Sequence, residues 1–157
     1  MDRSLAVADY QSLAELRYQV RRFLHFSEQA ARKAGLEPRQ HQLMLALKGL
    51  PEGVRPRIGE LAERLQIRHH STVELVNRLS SGGYVRRQPG SEDRREVLLA
   101  LTPKGEKVLR KLSLHHRAEL RMQGPALIAA LRQAIQMSKS GNHSTTQASS
   151  RTLRRNP

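Results

Sequence analysis

The sequence predicts a mainly α-helical chain that carries one small β-hairpin, and three observations predict it. Apolar residues recur at helical spacing along most of the 157 residues, the pattern of helices that share a core. Between residues 84 and 101 the spacing gives way to two short runs of strand-forming residues on either side of Pro89-Gly90, which is turn chemistry. Breakers punctuate the rest: Gly35, Pro51, Gly53 and the pair Gly82-Gly83 each fall where a periodic run ends, and glycine accepts the left-handed backbone at a helix C-terminus.

The first run, residues 4–34, places Leu13, Leu16, Val20, Phe23, Leu24, Ala30, Ala31 and Ala34 at helical spacing, which gives one long helix or two in line. Pro38 suits a first helical position, and a second helix reaches about Leu50 with Leu43, Leu45, Ala46 and Leu47. Ile58, Leu61, Ala62 and Leu65 make a short amphipathic helix. Another follows the break at residues 66–70, with Val73, Val76 and Leu79 directed inward. The two strands cover residues 84–88 and 96–101. Thr102-Pro103 is an N-cap and first-turn signature, and the helix it starts continues to about Met122, where Gly124-Pro125 interrupts it before a final helix with Leu127, Ile128, Leu131, Ala134 and Ile135 on one side. Residues 1–137 therefore read as a single domain, and 138–157, polar and rich in Ser and Thr, as a flexible basic tail.

A short helix, a tight turn, a second helix and then a hairpin is the order of a winged helix-turn-helix. In that arrangement the second helix enters a major groove and the hairpin reaches along the duplex to an adjacent minor groove. With three positions of the second helix inward, His69, His70, Ser71, Glu74, Asn77, Arg78 and Ser81 remain for solvent or a groove. Asn pairs bidentately with adenine, Arg with guanine, and Ser or Thr with phosphate. Ser71-x-x-Glu74 also fits a capping box, which would start the helix at Ser71 and make Glu74 structural. At the bend of the hairpin, Glu92-Asp93-Arg94-Arg95 carries cations suited to the negative potential of a minor groove; a solvated turn whose acids offset its arginines is the plainer alternative. Composition agrees with a polyanionic partner, since 28 Lys and Arg face 14 acidic residues for a formal charge of +14, although Lys139, Arg151, Arg154 and Arg155 of the tail supply four of these charges.

The stretch LAERLQIRHHSTVELVNRLSSGGYVRR followed by SEDRREVLLALTPKGEKVL resembles the MarR family of bacterial transcriptional regulators, whose wing carries Asp-x-Arg, a strand and then Leu-Thr-x-x-Gly. Those positions are Asp93, Arg95, Leu101, Thr102 and Gly105. The resemblance covers residues 36–112, the winged-helix core, and extends by helix order to about residue 137. It implies that helices 4–34 and 113–137 of two chains interlock into a homodimer. It also implies that Arg95, with Arg94 beside it, enters the minor groove, that Asp93 holds the wing, and that the helix from Ser71 reads the major groove. Arg68, His69, His70, Ser71, Thr72, Asn77, Arg78, Arg86, Asp93, Arg94 and Arg95 form the resulting DNA-binding set. Arg68 stands where many members have a capping Ser, and with the two histidines it is suited to phosphate contacts, which strengthen binding without specifying sequence.

The expected protein is thus a sequence-specific double-stranded-DNA-binding transcriptional regulator, a repressor on a pseudo-palindromic operator, released by a small aromatic or anionic effector. Members of the family often bind such a molecule between the dimerisation helices and the DNA-binding part; by position, Tyr18, Arg22, Phe26, His41 and Met44 are the effector candidates, with Phe26 and Met44 also plain core types. A non-sensing architectural DNA-binding protein is the alternative.

Other classes fare worse. His69-His70 and His115-His116 are adjacent pairs whose side chains diverge by about 100° on a helix, unlike ligands four residues apart, so a metal would require convergence of residues such as His25, His41 and His115. Ser71, His70 and Asp93 lack the strained turn or phosphate-cradling glycine loop of a catalytic site. No enzyme activity, cofactor or metal is expected. The absence of Cys excludes disulfides. With no long apolar run and no signal-peptide layout in MDRSLAVADYQSL, a cytoplasmic protein without a membrane partner is the expectation.

Overall fold

The computed structural model describes residues 5–140, and these form five helices and one antiparallel hairpin: α1 (Val7–Lys33), α2 (Pro38–Lys48), α3 (Ile58–Leu65), α4 (His69–Ser81), β1 (Val85–Pro89), β2 (Val97–Leu101) and α5 (Pro103–Ser140). Of the tail expected over 138–157, residues 138–140 belong to α5 and 141–157 lie outside the described residues. The described chain falls into two compact units, one of residues 23–121, the other of the residues up to 22 and from 122.

The 23–121 unit has the core. Leu43 and Met44 of α2, Leu61 of α3, Val76 and Leu79 of α4 and Leu99 of β2 are essentially inaccessible to solvent, and they pack in one cluster with Val85, Leu109 and Leu112. Burying side chains of this size stabilises by about 1.5–3 kcal/mol each, so the cluster binds α2, α3, α4, the hairpin and the start of α5 into one body. The hairpin pairs Val85 with Leu101 and Pro89 with Val97. A further backbone bond reaches it from outside: Leu99 N–H donates to the Pro56 carbonyl at 2.9 Å, which ties the segment before α3 to the strand.

The junction of α4, β1 and α5 is the tightest place in this unit. Gly83, at φ 74°, turns the chain out of α4 in a conformation that side chains with a Cβ rarely adopt. Thr102 caps α5 by accepting the Gly105 N–H at 3.1 Å, and its hydroxyl donates to the Gly83 carbonyl at 2.6 Å. Lys104 lies 4.4 Å from the Tyr84 ring centre and donates to the Gly82 carbonyl at 2.7 Å. Gly105 abuts the backbone of Tyr84 so closely that a Cβ there would stand 2.1 Å from the Tyr84 carbonyl oxygen.

In the other unit Ser12, Gln19 and Ala130 are buried. Most of its large apolar side chains are not: Val7, Tyr10, Leu13, Tyr18, Met122, Ile128, Leu131 and Ile135 are exposed, a density of apolar surface that marks an interaction face.

Four expectations are corrected. The helix after Thr102 runs on through Pro125 to Ser140. A proline inside a helix removes one backbone bond, but Pro125 and Arg121 are both exposed, so the Arg121 carbonyl left without its donor lies on the solvent side, and the apolar period continues across it. Helix α4 starts at His69 with Arg68 as its N-cap residue, and the Ser71-Glu74 box does not set the start; the first turn closes on the Arg68 carbonyl, which accepts from the Thr72 N–H at 3.1 Å and the Thr72 hydroxyl at 3.2 Å. On that helix Val73 is half-buried, and Leu75, at 8% exposure, takes the inward place instead. Each strand begins one residue later than expected.

His41 is a polar residue in an apolar place. It is 3% exposed, neither ring nitrogen has a hydrogen-bond partner, and the ring stacks on His116 with centres 4.9 Å apart. His116 is satisfied: its Nδ1 lies 2.6 Å from the Leu112 carbonyl, which can only accept, and its Nε2 lies 2.7 Å from the Ser27 hydroxyl. Burial first, and the neighbouring His116 second, push the His41 pKa down to about 4.

Two stability predictions follow from this geometry. Gly105→Ala, which in an ordinary helix interior adds up to about 1 kcal/mol of stability, is expected here to cost about 1–3 kcal/mol in chemical denaturation, because the Tyr84 backbone must move. His41→Leu is expected to raise the thermal midpoint at pH 8 by about 2–4 °C, roughly 1 kcal/mol, by removing unpaired buried nitrogens. In the native chain His41 stays neutral while the unfolded chain takes up a proton below about pH 6.5, so stability is fully present above that pH and falls as the pH drops towards 4. The wild-type chain therefore loses up to about 1.4 kcal/mol per pH unit in this window relative to His41→Leu; parallel melting curves of the two proteins from pH 7 to 4 would contradict the reading.

Candidate nucleic-acid interface

The N-terminus of α4 and the tip of the hairpin both carry exposed cations of the 23–121 unit. Helix α4 is oriented by its buried side, on which Thr72, Leu75, Val76 and Leu79 meet the core. The opposite side leaves Arg68, His69 and His70 exposed at the start of the helix and Asn77, Arg78 and Ser81 exposed further along, with Ser71 half-buried. Thr72, included in the DNA-binding set from sequence, is corrected: it is fully buried and its hydroxyl is engaged by the Arg68 carbonyl, so it shapes the first turn and offers nothing to a groove.

Two of the expected base readers already have partners. Asn77 Oδ1 accepts from Arg87 Nη2 at 2.6 Å, and Arg87 Nη1 reaches Ser80 Oγ at 3.5 Å. Arg78 pairs with Glu37 at 3.2 Å, both side chains more than half exposed. Arg87 is thus a residue of this surface that sequence reading missed. Its signal was strand alternation: Arg87 shares a face with buried Val85 and so turns towards α4, whereas Arg86, which the sequence did single out, turns away and is exposed.

In the wing, the turn is closed by backbone bonds from Gly90 N–H to the Glu96 carbonyl at 2.9 Å and from Glu96 N–H to the Asp93 carbonyl at 3.1 Å. Asp93 Oδ1 accepts the Arg95 N–H at 2.9 Å, which fixes the backbone that carries the two tip arginines. The acids of the wing do not offset those arginines. Glu96, whose side chain is only 10% exposed, pairs with Arg55 at 2.7 Å and with Arg57, and Glu92 pairs with Arg55. Arg55 and Arg57 precede α3, in the same segment whose Pro56 carbonyl receives Leu99. Among the described residues the side chains of Arg68, Arg94 and Arg95 take part in no ion pair and stand exposed.

The effector candidates are divided between the two units. Tyr18 and Arg22 belong to the unit of the chain ends, with the guanidinium 5.9 Å from the ring centre. Phe26, His41 and Met44 belong to the other unit. Met44 is fully buried in the core and His41 nearly so. Phe26 packs edge-on against His116, 5.8 Å away, and with Ala30, Lys33, Lys111, Leu112 and His115 lines a cleft of about 400 Å³. Among the described residues no three His, Asp or Glu side chains converge as metal ligands, and no helix is long and apolar enough to cross a membrane.

Comparison with known proteins places this arrangement. Residues 34–96 match the MarR family model. The chain is 30% identical over 67 residues to YfiV of Bacillus subtilis, an HTH-type transcriptional regulator, a match over 43% of this chain and 41% of the relative, so it spans about two fifths of that relative's length. Its fold is that of AbsC, a MarR family transcriptional regulator from Streptomyces coelicolor, with a TM-score of 0.68, 23% identity and coverage of 88% and 97% of the two chains. It is similar also to a MepR mutant of S. aureus bound to an oligodeoxyribonucleotide, with a TM-score of 0.58, 16% identity and coverage of 88% and 98%. The matched segment contains α2, α3, α4, β1 and the wing turn, and the chain as a whole follows the AbsC fold: residues 34–96 form a winged helix-turn-helix that matches the MarR family model.

Proposed function

We propose that the protein is a sequence-specific, double-stranded-DNA-binding transcriptional regulator that acts as a homodimer. The observation that carries the reading is the distribution of charge: the acids of the wing are engaged by Arg55 and Arg57, while Arg94 and Arg95 at its tip and Arg68 at the start of α4 stand exposed without internal partners among the described residues. A helix surface with Asn77 and Arg78 beside such a tip suits a major groove and its neighbouring minor groove. The similarity to a MepR mutant bound to an oligodeoxyribonucleotide supports the same reading. The exposed apolar side chains of the chain-end unit, Leu13, Ile128 and Leu131 among them, support the dimer, which would set two half-sites about 10 base pairs apart. Repression by blocking polymerase, with release by a small aromatic or anionic molecule in the Phe26 cleft between Lys33 and Lys111, completes the proposal.

The test is fluorescence anisotropy on the DNA just upstream of the protein's own gene, with unrelated duplex as competitor. Retention of binding to that site under competitor is expected for a regulator; equal loss on both would point to an architectural binder instead. In the same assay Arg95→Ala is expected to weaken binding and to lower the slope of log affinity against log salt by about 1. An unchanged affinity and slope would remove the wing from the interface.

A further inference from the structure

We infer that Arg55 is a positioning residue for the wing, and that Glu96 assists DNA binding although its charge opposes it. The inference rests on the DNA-binding reading and adds two residues that touch no groove in it. The geometry is that of a brace between two parts of the chain 41 residues apart: one guanidinium spans Glu92 in the turn and Glu96 at the foot of β2, and a second, Arg57, closes on Glu96 from the other side. Glu96 is nine-tenths buried on its side chain, so solvent and salt screen its pairs far less than those of an exposed ion pair. The neighbouring Leu99-to-Pro56 backbone bond holds the same two segments in register.

A two-stranded hairpin is marginal by itself. Of this one, Val85 and Leu99 are anchored in the core, whereas residues 91–95 are exposed along their whole length. Apart from the strand register, the described side-chain links between the turn and the rest of the fold are those made by Glu92 and Glu96. Loss of the brace leaves the tip arginines on a turn that must be ordered at the moment of binding, and that ordering weakens affinity.

Electrostatics and positioning make opposite predictions for one substitution, which makes the inference testable. Glu96→Gln raises the net charge by one, and on charge alone it should tighten DNA binding. The brace requires the reverse: binding about fivefold weaker or more, roughly 1 kcal/mol. Arg55→Met should weaken binding comparably, and the double variant should be no weaker than the worse single one, because both remove the same link. Arg55→Lys keeps the charge but not the fork that reaches two carboxylates; it should fall between, and it serves alone where Glu96→Gln does not fold. A DNA-free measurement separates this inference from the reading beneath it. Trypsin should cut after Arg94 and Arg95 faster in Glu96→Gln than in the wild-type chain, at temperatures well below an unfolding midpoint that shifts little. Absence of DNA binding by the wild-type protein would defeat the functional reading while leaving the cleavage rates to decide the brace. Unchanged cleavage, or a Glu96→Gln protein that binds DNA as tightly as wild type, overturns the inference.

Discussion

The contact on which the geometry of this winged helix depends is the approach of Gly105 to the backbone of Tyr84. It brings the first turn of α5 against the exit of α4 and the entry of β1, with no side chain between them. The Thr102 hydroxyl then serves two places at once, as cap of α5 and as donor to the Gly83 carbonyl just past the end of α4. Recognition helix, hairpin and long helix are therefore not three bodies joined by loops. Their angles are set within a few residues by sterics and two hydrogen bonds, and side-chain packing of Leu79, Val85, Leu99 and Leu109 fills the space those angles define. Leu-Thr-x-x-Gly has this physical content: a strand residue in the sheet, a hydroxyl that caps and ties, and a position where only hydrogen fits.

On this frame the chain sorts its charges. A wing with the sequence Glu-Asp-Arg-Arg-Glu could neutralise itself, and the plainer alternative for this turn was that it does. What decides the matter is a separate pair of cations: Arg55 and Arg57, 41 and 39 residues away, both reach Glu96 and Arg55 also reaches Glu92, with Asp93 committed to the backbone beneath Arg95. The arginines of the tip are then left with solvent. The net charge of +14 says little about where a polyanion would sit; this local separation says a good deal more, since the field at a groove depends on the cations within about a Debye length, roughly 10 Å, and not on the total.

Much of this was legible in the sequence and some was not, for identifiable reasons. The helices were visible because their apolar residues repeat over two turns or more, and the wing because Pro89-Gly90 divides two strand-forming runs. The continuity of α5 was hidden because Gly124-Pro125 is a local stop signal, whereas Pro125 stands on an exposed position of a helix that runs on to Ser140. The start of α4 was misplaced because Ser71-Glu74 has the spacing of a cap, yet Thr72 closes the turn on Arg68 instead. In the site, the exposure of His69 and His70 follows from helical periodicity and that of Arg94 and Arg95 from their place in the turn between the strands. Pairings distant in sequence, Arg55 with Glu96 or Arg78 with Glu37, do not, because no local rule relates loops that only the fold brings together. The burial of His41 belongs to the same class: its position on α2 is periodic with Leu43 and Met44, but a histidine at that place reads equally as ligand-facing or core until its stack on His116 is known.

The internal partners of Asn77 and Arg78 bear on how this surface would read a sequence. Exposed pairs such as Arg78-Glu37, with both side chains more than half open to water, contribute at most about 1 kcal/mol, and a bidentate contact to the right base is worth about 1–3 kcal/mol of discrimination. On the proposed reading, a cognate base would therefore displace the internal partner and a mismatched one would not. On the same reading, release of Asn77 to a base would also free the Arg87 guanidinium on β1 from its partner. Asn77 and Arg87 are coupled through one hydrogen bond of 2.6 Å, and on the proposed reading the wing, braced from behind by Arg55, would supply the fixed edge against which that exchange takes place.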